Sequence, residues 1–347
     1  MEQIKTIVTG ISVYFAGSNN LTSQTAVAIV SMAMNTKSDI DLYILDCGIP
    51  ADDIRALERI CEKYDNIKSF TILPVNMSLF SGCNTWFGYT DCWSRFLFSD
   101  LAPNIDKAIY LDSDIIVMND IRKLYDLDLG GKAIAAAPEI WHLSKWHESE
   151  RNDRRKKWGY SDDHVYFGSG VLIFDCKKWR DERLADKILS IGRQYGKMLK
   201  FPDQDALNIL FADNYQIIDN ELVATSQDIV DLEKQAPEKF MALQKNLVVR
   251  HFNVYKPFSR EIYLDVSRKK VICPHLENWW YYAGMTPYYQ YFLHKLNLKR
   301  LKPLTVFKLR LFGFIPFLKI KSERKKTSKK WVILFGFIPI FCFRHAD

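Results

Sequence analysis

The sequence predicts an α/β protein with a Rossmann-like, mostly parallel sheet, and three observations carry that prediction. Apolar runs of strand length alternate with helical stretches as far as Pro74, in the order strand, helix, strand, helix, strand. A further apolar run, Lys107 to Met118 (KAIYLDSDIIVM), is interrupted by Asp112-Ser113-Asp114, and open α/β sheets present their ligands at such strand ends. With 347 residues, 48% hydrophobic and 14% aromatic, the chain is long enough for one large α/β domain with appendages, or for two domains.

In chain order, Ile7 to Ala16 reads as a first buried strand. It lacks the basic cluster and small-residue cleavage site of a signal peptide. Asn19 to Ser23 offer helix caps, and Gln24 to Met34, apolar with small residues, predicts a helix packed on a sheet. A strand over Ile40 to Leu45, a helix starting at Pro50 and a strand over Ile67 to Pro74 follow. Beyond a polar, Gly-containing loop at Met77 to Thr90, Cys92 to Leu101 predicts a helix bearing Arg95, which leads into the central strand. Ala133 to Ala137 reads as a strand ending at Pro138-Glu139, and Tyr166 to Phe174 as a strand whose Gly168 and Gly170 allow close backbone approach. Helices are expected from Lys177 and over Ala206 to Phe211, a strand carrying His251 over Leu247 to Phe252, and a helical pair over Asn278 to Tyr291.

The formal charge of +7 is unevenly spread. Residues 295–347 hold fourteen Lys/Arg against Glu323 and Asp347, a local +12, which leaves about −5 for the rest. This tail repeats itself: Leu311 to Pro316 (LFGFIP) recurs as Leu334 to Pro339, 23 residues later, with KIKSERKKTSKK between the copies. Interleaved aromatic and basic residues fit an anionic lipid surface better than nucleic acid, at about 1 kcal/mol per basic residue plus aromatic burial. A β-hairpin packed on the rest of the protein is the alternative. No run reaches the ~18–20 apolar residues of a spanning helix. Seven cysteines, an odd number without a CxxC pair, read as reduced and cytosolic.

Residues i and i+2 of an extended chain project to one side, so Asp112 and Asp114 can address one divalent cation, with Mg or Mn favoured by hard oxygen ligands. Capping of a following turn is the plainer role for such acids. Asp39/Asp41, Asp126/Asp128 and Asp203/Asp205 share the spacing, and only position in the chain singles out the central pair.

Six segments stand in one order: FAGSNN at 15–20, ILDCGI at 44–49, YLDSDIIV at 110–117, YFGSGVLIFDCKKWR at 166–180, PDQDALNIL at 202–210 and HFNVYKPF at 251–258. In this the chain resembles glycosyltransferase family 8, retaining enzymes that include bacterial lipopolysaccharide galactosyl- and glucosyltransferases. The resemblance implies a GT-A nucleotide-diphosphosugar fold with UDP on the first half of the sheet, and transfer of a galactose or glucose from a UDP-sugar. Asp112 and Asp114 match the metal pair and His251 the third ligand, for Mn2+ or Mg2+. Lys256 and Ser113 are assigned to the nucleotide with Asn20, a ribose contact. Arg95, Asp203 and Gln204 are assigned to the donor sugar with Ser169-Gly170 lining it, and Asp203 and Gln204 are the catalytic candidates. A neutral amide at 204 is a poor covalent nucleophile, so front-face substitution is expected. This chain departs from the family at Ser18 and Asn19, where an Asp commonly reads the uracil, at Gly168-Ser169-Gly170 in place of Asn-Ala-Gly, and in a shorter segment after His251. Glu139 stands where an acceptor-side Asp is often found.

The implied partners are a UDP-hexose, a glycan or glycolipid acceptor such as lipopolysaccharide, and an anionic membrane surface, with no nucleic acid. The implied location is the cytoplasmic face of the cytoplasmic membrane. The expected divisions are a catalytic domain at 1–265, an aromatic helical extension at 266–302 and the tail at 303–347, with 141–163 (WHLSKWHESERNDRRKKWGYSDD) an exposed lid, acceptor-contacting loop or solvated helix. Two other readings compete: a haloacid-dehalogenase-type phosphatase with Asp112 and Asp114 as its motif, which leaves Ile116 and the other five segments unexplained, and a non-catalytic membrane-surface binding protein.

Overall fold

A computed structural model of the chain describes residues 10–18, 21–139, 152–153, 156–161, 164–212, 214–253, 256–259 and 273–296, and the strands at 306–311, 315–322, 329–334 and 338–344. The chain divides into two compact units, Met1–Asn253 and Val254–Asp347.

In the first unit, β1 (Ile11–Gly17), β2 (Ile40–Asp46) and β3 (Ile67–Pro74) pair in parallel. The continuous apolar runs of β1 and β2 are buried nearly throughout, as a sheet covered on both faces requires. Half-exposed β3 is the edge. The helix Thr22–Asn35 is buried from Thr22 to Ala33, which its Ala- and Ser-rich sequence permits. β4 (Lys107–Leu111) joins β1 on the side away from β2, so the strand order reverses between β1 and β4. Beyond β4 lie β7 (Phe167–Asp175), β6 (Ile134–Pro138) and β8 (Gln216–Ile217), giving the order β3-β2-β1-β4-β7-β6-β8. The sheet is mostly parallel as expected, with β7 antiparallel to both neighbours.

The central apolar run departs from its expectation. It is two strands, not one: β4 ends at Leu111, and β5 (Ile115–Val117) belongs to a second, three-stranded sheet ordered β5-β10-β9 with β9 (Val223–Thr225) and β10 (Val249–His251). Asp112-Ser113-Asp114 is the turn between the two sheets. Ser31 Oγ accepts the Val117 N–H (2.9 Å) and Asn35 Nδ2 donates to the Val117 carbonyl (3.0 Å), so the first helix braces β5.

The expected helix at 92–101 is a 3-10 segment, Asp91–Leu97, continued by a short α-helix, Phe98–Leu101. Two buried side-chain donors take its carbonyls: Tyr14 Oη bonds Arg95 O (2.9 Å) and Trp179 Nε1 bonds Phe96 O (3.0 Å). Tight packing of Tyr14, Phe98, Trp93 and Trp179 overrides regular helical bonding here.

In the second unit, the helices Leu276–Ala283 and Tyr289–Leu296 enclose Trp279, Phe292 and Phe258, with ring centroids 4.8 Å and 5.2 Å apart. The tail forms an antiparallel sheet of β11 (Val306–Leu311), β12 (Ile315–Ser322), β13 (Lys329–Leu334) and β14 (Ile338–Arg344). The sequence repeat is a repeat of hairpins. Arg310 pairs with Pro316 at one irregularity, and Ile333 pairs with Pro339 at the other, the same positions 23 residues on. Residues 312–314 and 335–337 lie outside the described residues. Among the described residues, no helix is long and apolar enough to cross a membrane.

Candidate active site

The reversal of strand order between β1 and β4 is where open α/β sheets bind ligands, and Asp112 stands at the carboxyl end of β4. The turn it begins is held from both sides. Asp112 N–H donates to Gly170 O on β7 (2.8 Å), and Asp114 O accepts the N–H of Phe252, just beyond β10 (2.9 Å). The two carboxylates therefore converge through a clamped turn, and not through the pleat of an extended strand. Antiparallel pairing of β10 with β5 sets His251 opposite Ile115 and so beside the turn.

His251 Nε2 lies 3.2 Å from Asp114 Oδ1 and 3.6 Å from Asp112 Oδ2, and one ligand atom from each of the three residues lies within 4.8 Å of the others. Gly170 makes this convergence possible: a Cβ there would stand 2.3 Å from His251 Cε1 and 2.8 Å from Asp112 Oδ2. Two carboxylates and an imidazole around one point fit a divalent cation such as Mn or Mg. The other acid pairs are occupied elsewhere. Asp41 accepts from Gly10 N–H and Ser69, Asp128 from Gly130 N–H, and Asp205 from Tyr166 Oη (2.7 Å) and Phe201 N–H (2.9 Å).

Behind the acids lies Arg95, buried, with Nη1 3.2 Å from Asp112 Oδ1, 3.3 Å from Asp203 Oδ2 and 2.7 Å from Ser169 O. Its guanidinium covers the Tyr110 ring at 4.5 Å, and Tyr110 Oη donates to Asp112 Oδ1 (2.6 Å). Asp112 thus commits Oδ1 to Arg95 and Tyr110, and Oδ2 is the oxygen nearer His251. Burial opposes the charge on Arg95, but Asp112 and Asp203 outweigh it and hold the guanidinium well above its ordinary range. Burial pushes the Asp203 carboxyl up, against the pull of Arg95.

The helix Pro202–Phe211 begins with Pro at its first turn and carries Asp203 and Gln204. Gln204 Oε1 accepts Ser169 N–H (3.2 Å). A backbone N–H can only donate, which fixes the amide orientation and leaves the NH2 as the donor end. Asn208, one turn later, accepts Phe167 N–H (3.0 Å) and donates to Phe167 O (2.9 Å), locking this helix to β7. Sequence reasoning missed Asn208 and Tyr110. The i, i+4 spacing of Gln204 and Asn208 was the only signal for the first, and nothing in the apolar context of Tyr110 marked the second.

Thus Asp112, Ser113, Asp114, His251, Arg95, Asp203, Gln204, Ser169 and Gly170 share one locality. Ser113, buried, is the middle of the turn. Asn20 lies outside the described residues, as do Asn19 and most of 141–163. Lys256 belongs to the second unit and is half-buried. Glu139, buried at the end of β6, donates its N–H to Tyr166 O (3.0 Å). At the end of β1, Ser18 Oγ donates to Asp91 Oδ2 (2.8 Å), so a carboxylate from another segment stands beside the first-strand loop.

Known proteins resemble this chain in sequence and in fold. The lipopolysaccharide 1,2-glucosyltransferase of Escherichia coli (strain K12) is 25% identical over 256 residues, 71% of this chain and 72% of that protein. General stress protein A of Bacillus subtilis (strain 168) is 28% identical over 187 residues, 52% of this chain and 62% of that protein. The galactosyltransferase LgtC, solved with donor and acceptor sugar analogs, superposes with a TM-score of 0.66 at 22% identity, covering 80% of this chain and 96% of that one; the shared fold is GT-A. The sequence profile of glycosyl transferase family 8 matches residues 12–261, so the chain belongs to glycosyltransferase family 8.

Proposed function

We propose that this glycosyltransferase moves a galactose or glucose from a UDP-sugar, with retention of configuration, to a lipopolysaccharide or related glycolipid acceptor. The observation that carries the reading is the convergence of Asp112, Asp114 and His251 beside the Arg95–Asp203–Gln204 group. The first three would hold Mn2+ or Mg2+, which when bound neutralises charge on the departing diphosphate.

The chain's own residues supply the rest. Arg95 pairs with both Asp203 and Asp112, so neither acid serves as a detached general base. Gln204, with its oxygen tied to Ser169, presents an amide N–H2 to the donor sugar. No carboxylate stands in its place, and front-face substitution follows. Ser113, Lys256 and Asn20 are assigned to the nucleotide, and the Ser18–Asp91 pair to the uracil edge that a first-loop Asp reads elsewhere in the family. Glu139 is assigned to the acceptor side, and the basic tail at 303–347 to an anionic membrane surface at the cytoplasmic face.

A screen of UDP-sugars with Mn2+ for slow hydrolysis tests donor and metal without an acceptor, with UDP-galactose or UDP-glucose expected to be cleaved. NMR of the transfer product should show an α-glycoside from an α-linked donor, and a β linkage would refute the mechanism.

A further inference from the structure

We infer that the first unit carries a lipid-seating surface of its own, built by the hairpin Trp86–Tyr89 and the segment at 197–201, which docks on an anionic bilayer. The first observation is the hairpin's shape. Trp86 and Tyr89 exchange two backbone hydrogen bonds of 2.9 Å, and the two residues between them, Phe87 (φ 49) and Gly88 (φ 88), are both left-handed. That is a two-residue turn of the kind that favours Asn-Gly. A bulky aromatic at its first central position is strained, and Phe87, its ring edge-on to Trp86 at 4.6 Å, is 83% exposed, so burial does not offset the strain.

The surroundings supply the second observation. Leu79, Trp86, Tyr89 and Met198 are also exposed, and they come from two segments bound together. Asn84 Nδ2 donates to Leu199 O (3.0 Å), Arg193 Nη2 donates to Leu79 O (2.7 Å), and Trp86 packs on Phe201 at 5.5 Å. Exposed apolar side chains gathered in this way mark an interaction surface.

Charge selects the occupant. Residues 76–90 carry no charged side chain, while 192–202 carry Arg193, Lys197 and Lys200 and no acid. Lys157 adds a fourth cation, donating to Met198 O (2.7 Å). Aromatic residues rimmed by long cations whose stems lie along apolar surface are what an anionic headgroup layer accepts. All of these residues belong to the first unit. Phe201 immediately precedes Pro202-Asp203-Gln204, so, on the proposed function, a bilayer seated here would bring a lipid-anchored acceptor to the transfer site.

The test uses the full chain with phosphatidylglycerol-containing and pure phosphatidylcholine vesicles. Phe87→Asn places a residue suited to the left-handed turn and removes the aromatic ring. It should leave Tm unchanged or raised while lowering vesicle partitioning about fivefold, a pair of opposite effects that a merely structural role does not produce. Lys197→Glu with Lys200→Glu should lower partitioning on the anionic vesicles only. UDP-sugar hydrolysis in solution should be unchanged in all variants. Partitioning equal to the wild type in Phe87→Asn would overturn the inference. So would normal partitioning with impaired transfer to a soluble glycan acceptor, which would assign the hairpin to acceptor docking instead.

Discussion

Gly170→Ala is the sharpest probe of the candidate active site. The added Cβ would stand 2.3 Å from His251 Cε1, against about 3.4 Å for ordinary contact between such atoms, so the imidazole or the strand must yield by roughly 1 Å. The strand cannot yield freely, because Gly170 O accepts the Asp112 N–H and β7 is paired on both sides. Nor can His251 move with its backbone, since β10 is paired on both sides as well. The side chains of His251 and Asp112 must therefore swing apart, opening the one place where the metal-ligand candidates converge. A displacement of about 1 Å in such machinery costs on the order of 10²-fold in rate, and the overpacking costs about 1–3 kcal/mol of stability. The assay is Mn2+-dependent UDP-sugar hydrolysis as a function of metal concentration, with far-UV circular dichroism to verify the fold. Gly168→Ala is the control, because its Cβ would meet Glu139 Oε1 at an unremarkable 3.5 Å. Wild-type turnover and metal affinity in Gly170→Ala would refute the assignment of these three residues as one centre.

Three further outcomes are expected. Asp114→Asn should lower transfer by at least ~10²-fold with the fold intact, and chelation of divalent metal should abolish wild-type activity; full activity in EDTA would exclude the metal reading. Asn208→Ala strips the buried Phe167 N–H and C=O of their partners and should cost about 2–4 kcal/mol in urea unfolding, a large effect for a residue that offers no ligand. Burial pushes Asp228 up to about 6, against hydrogen bonds from Thr225 that favour its charged form. Between its unfolded value near 4 and 6 the native state holds a proton that the unfolded chain has lost. The stability this confers is complete below about 4 and disappears as pH rises through 6, about 3 kcal/mol in all. In Asp228→Asn, whose amide oxygen can still accept the Thr225 N–H, unfolding free energy measured from pH 4.5 to 7.5 should lack that decline, whereas parallel curves for the two proteins would contradict it.

How far the sequence could be read depended on whether a feature was local. The strand-helix alternation up to Pro74 follows from periodicity and stands in the structure, whereas the helix expected from Ala206 begins one turn earlier, at Pro202, and so takes in Asp203 and Gln204. The division of KAIYLDSDIIVM between two sheets was illegible, because buried strands of either sheet have the same apolar character. Likewise the 3-10 path through Arg95 depends on Tyr14 and Trp179, distant in sequence, taking its carbonyls.

The four Asp-x-Asp pairs show why spacing alone decides nothing. At 203/205 the pair lies in a helix's first turn, where i and i+2 diverge; Asp203 faces Arg95 while Asp205 turns to Tyr166 and Phe201. At 112/114 the same spacing spans a turn clamped by Gly170 and Phe252, and the two carboxylates meet. The chemistry of an acid pair is therefore set by the backbone hydrogen bonds on either side of it. The site's reach also depends on a residue with no functional group, because any side chain at 170 would occupy the space in which His251 approaches the acids.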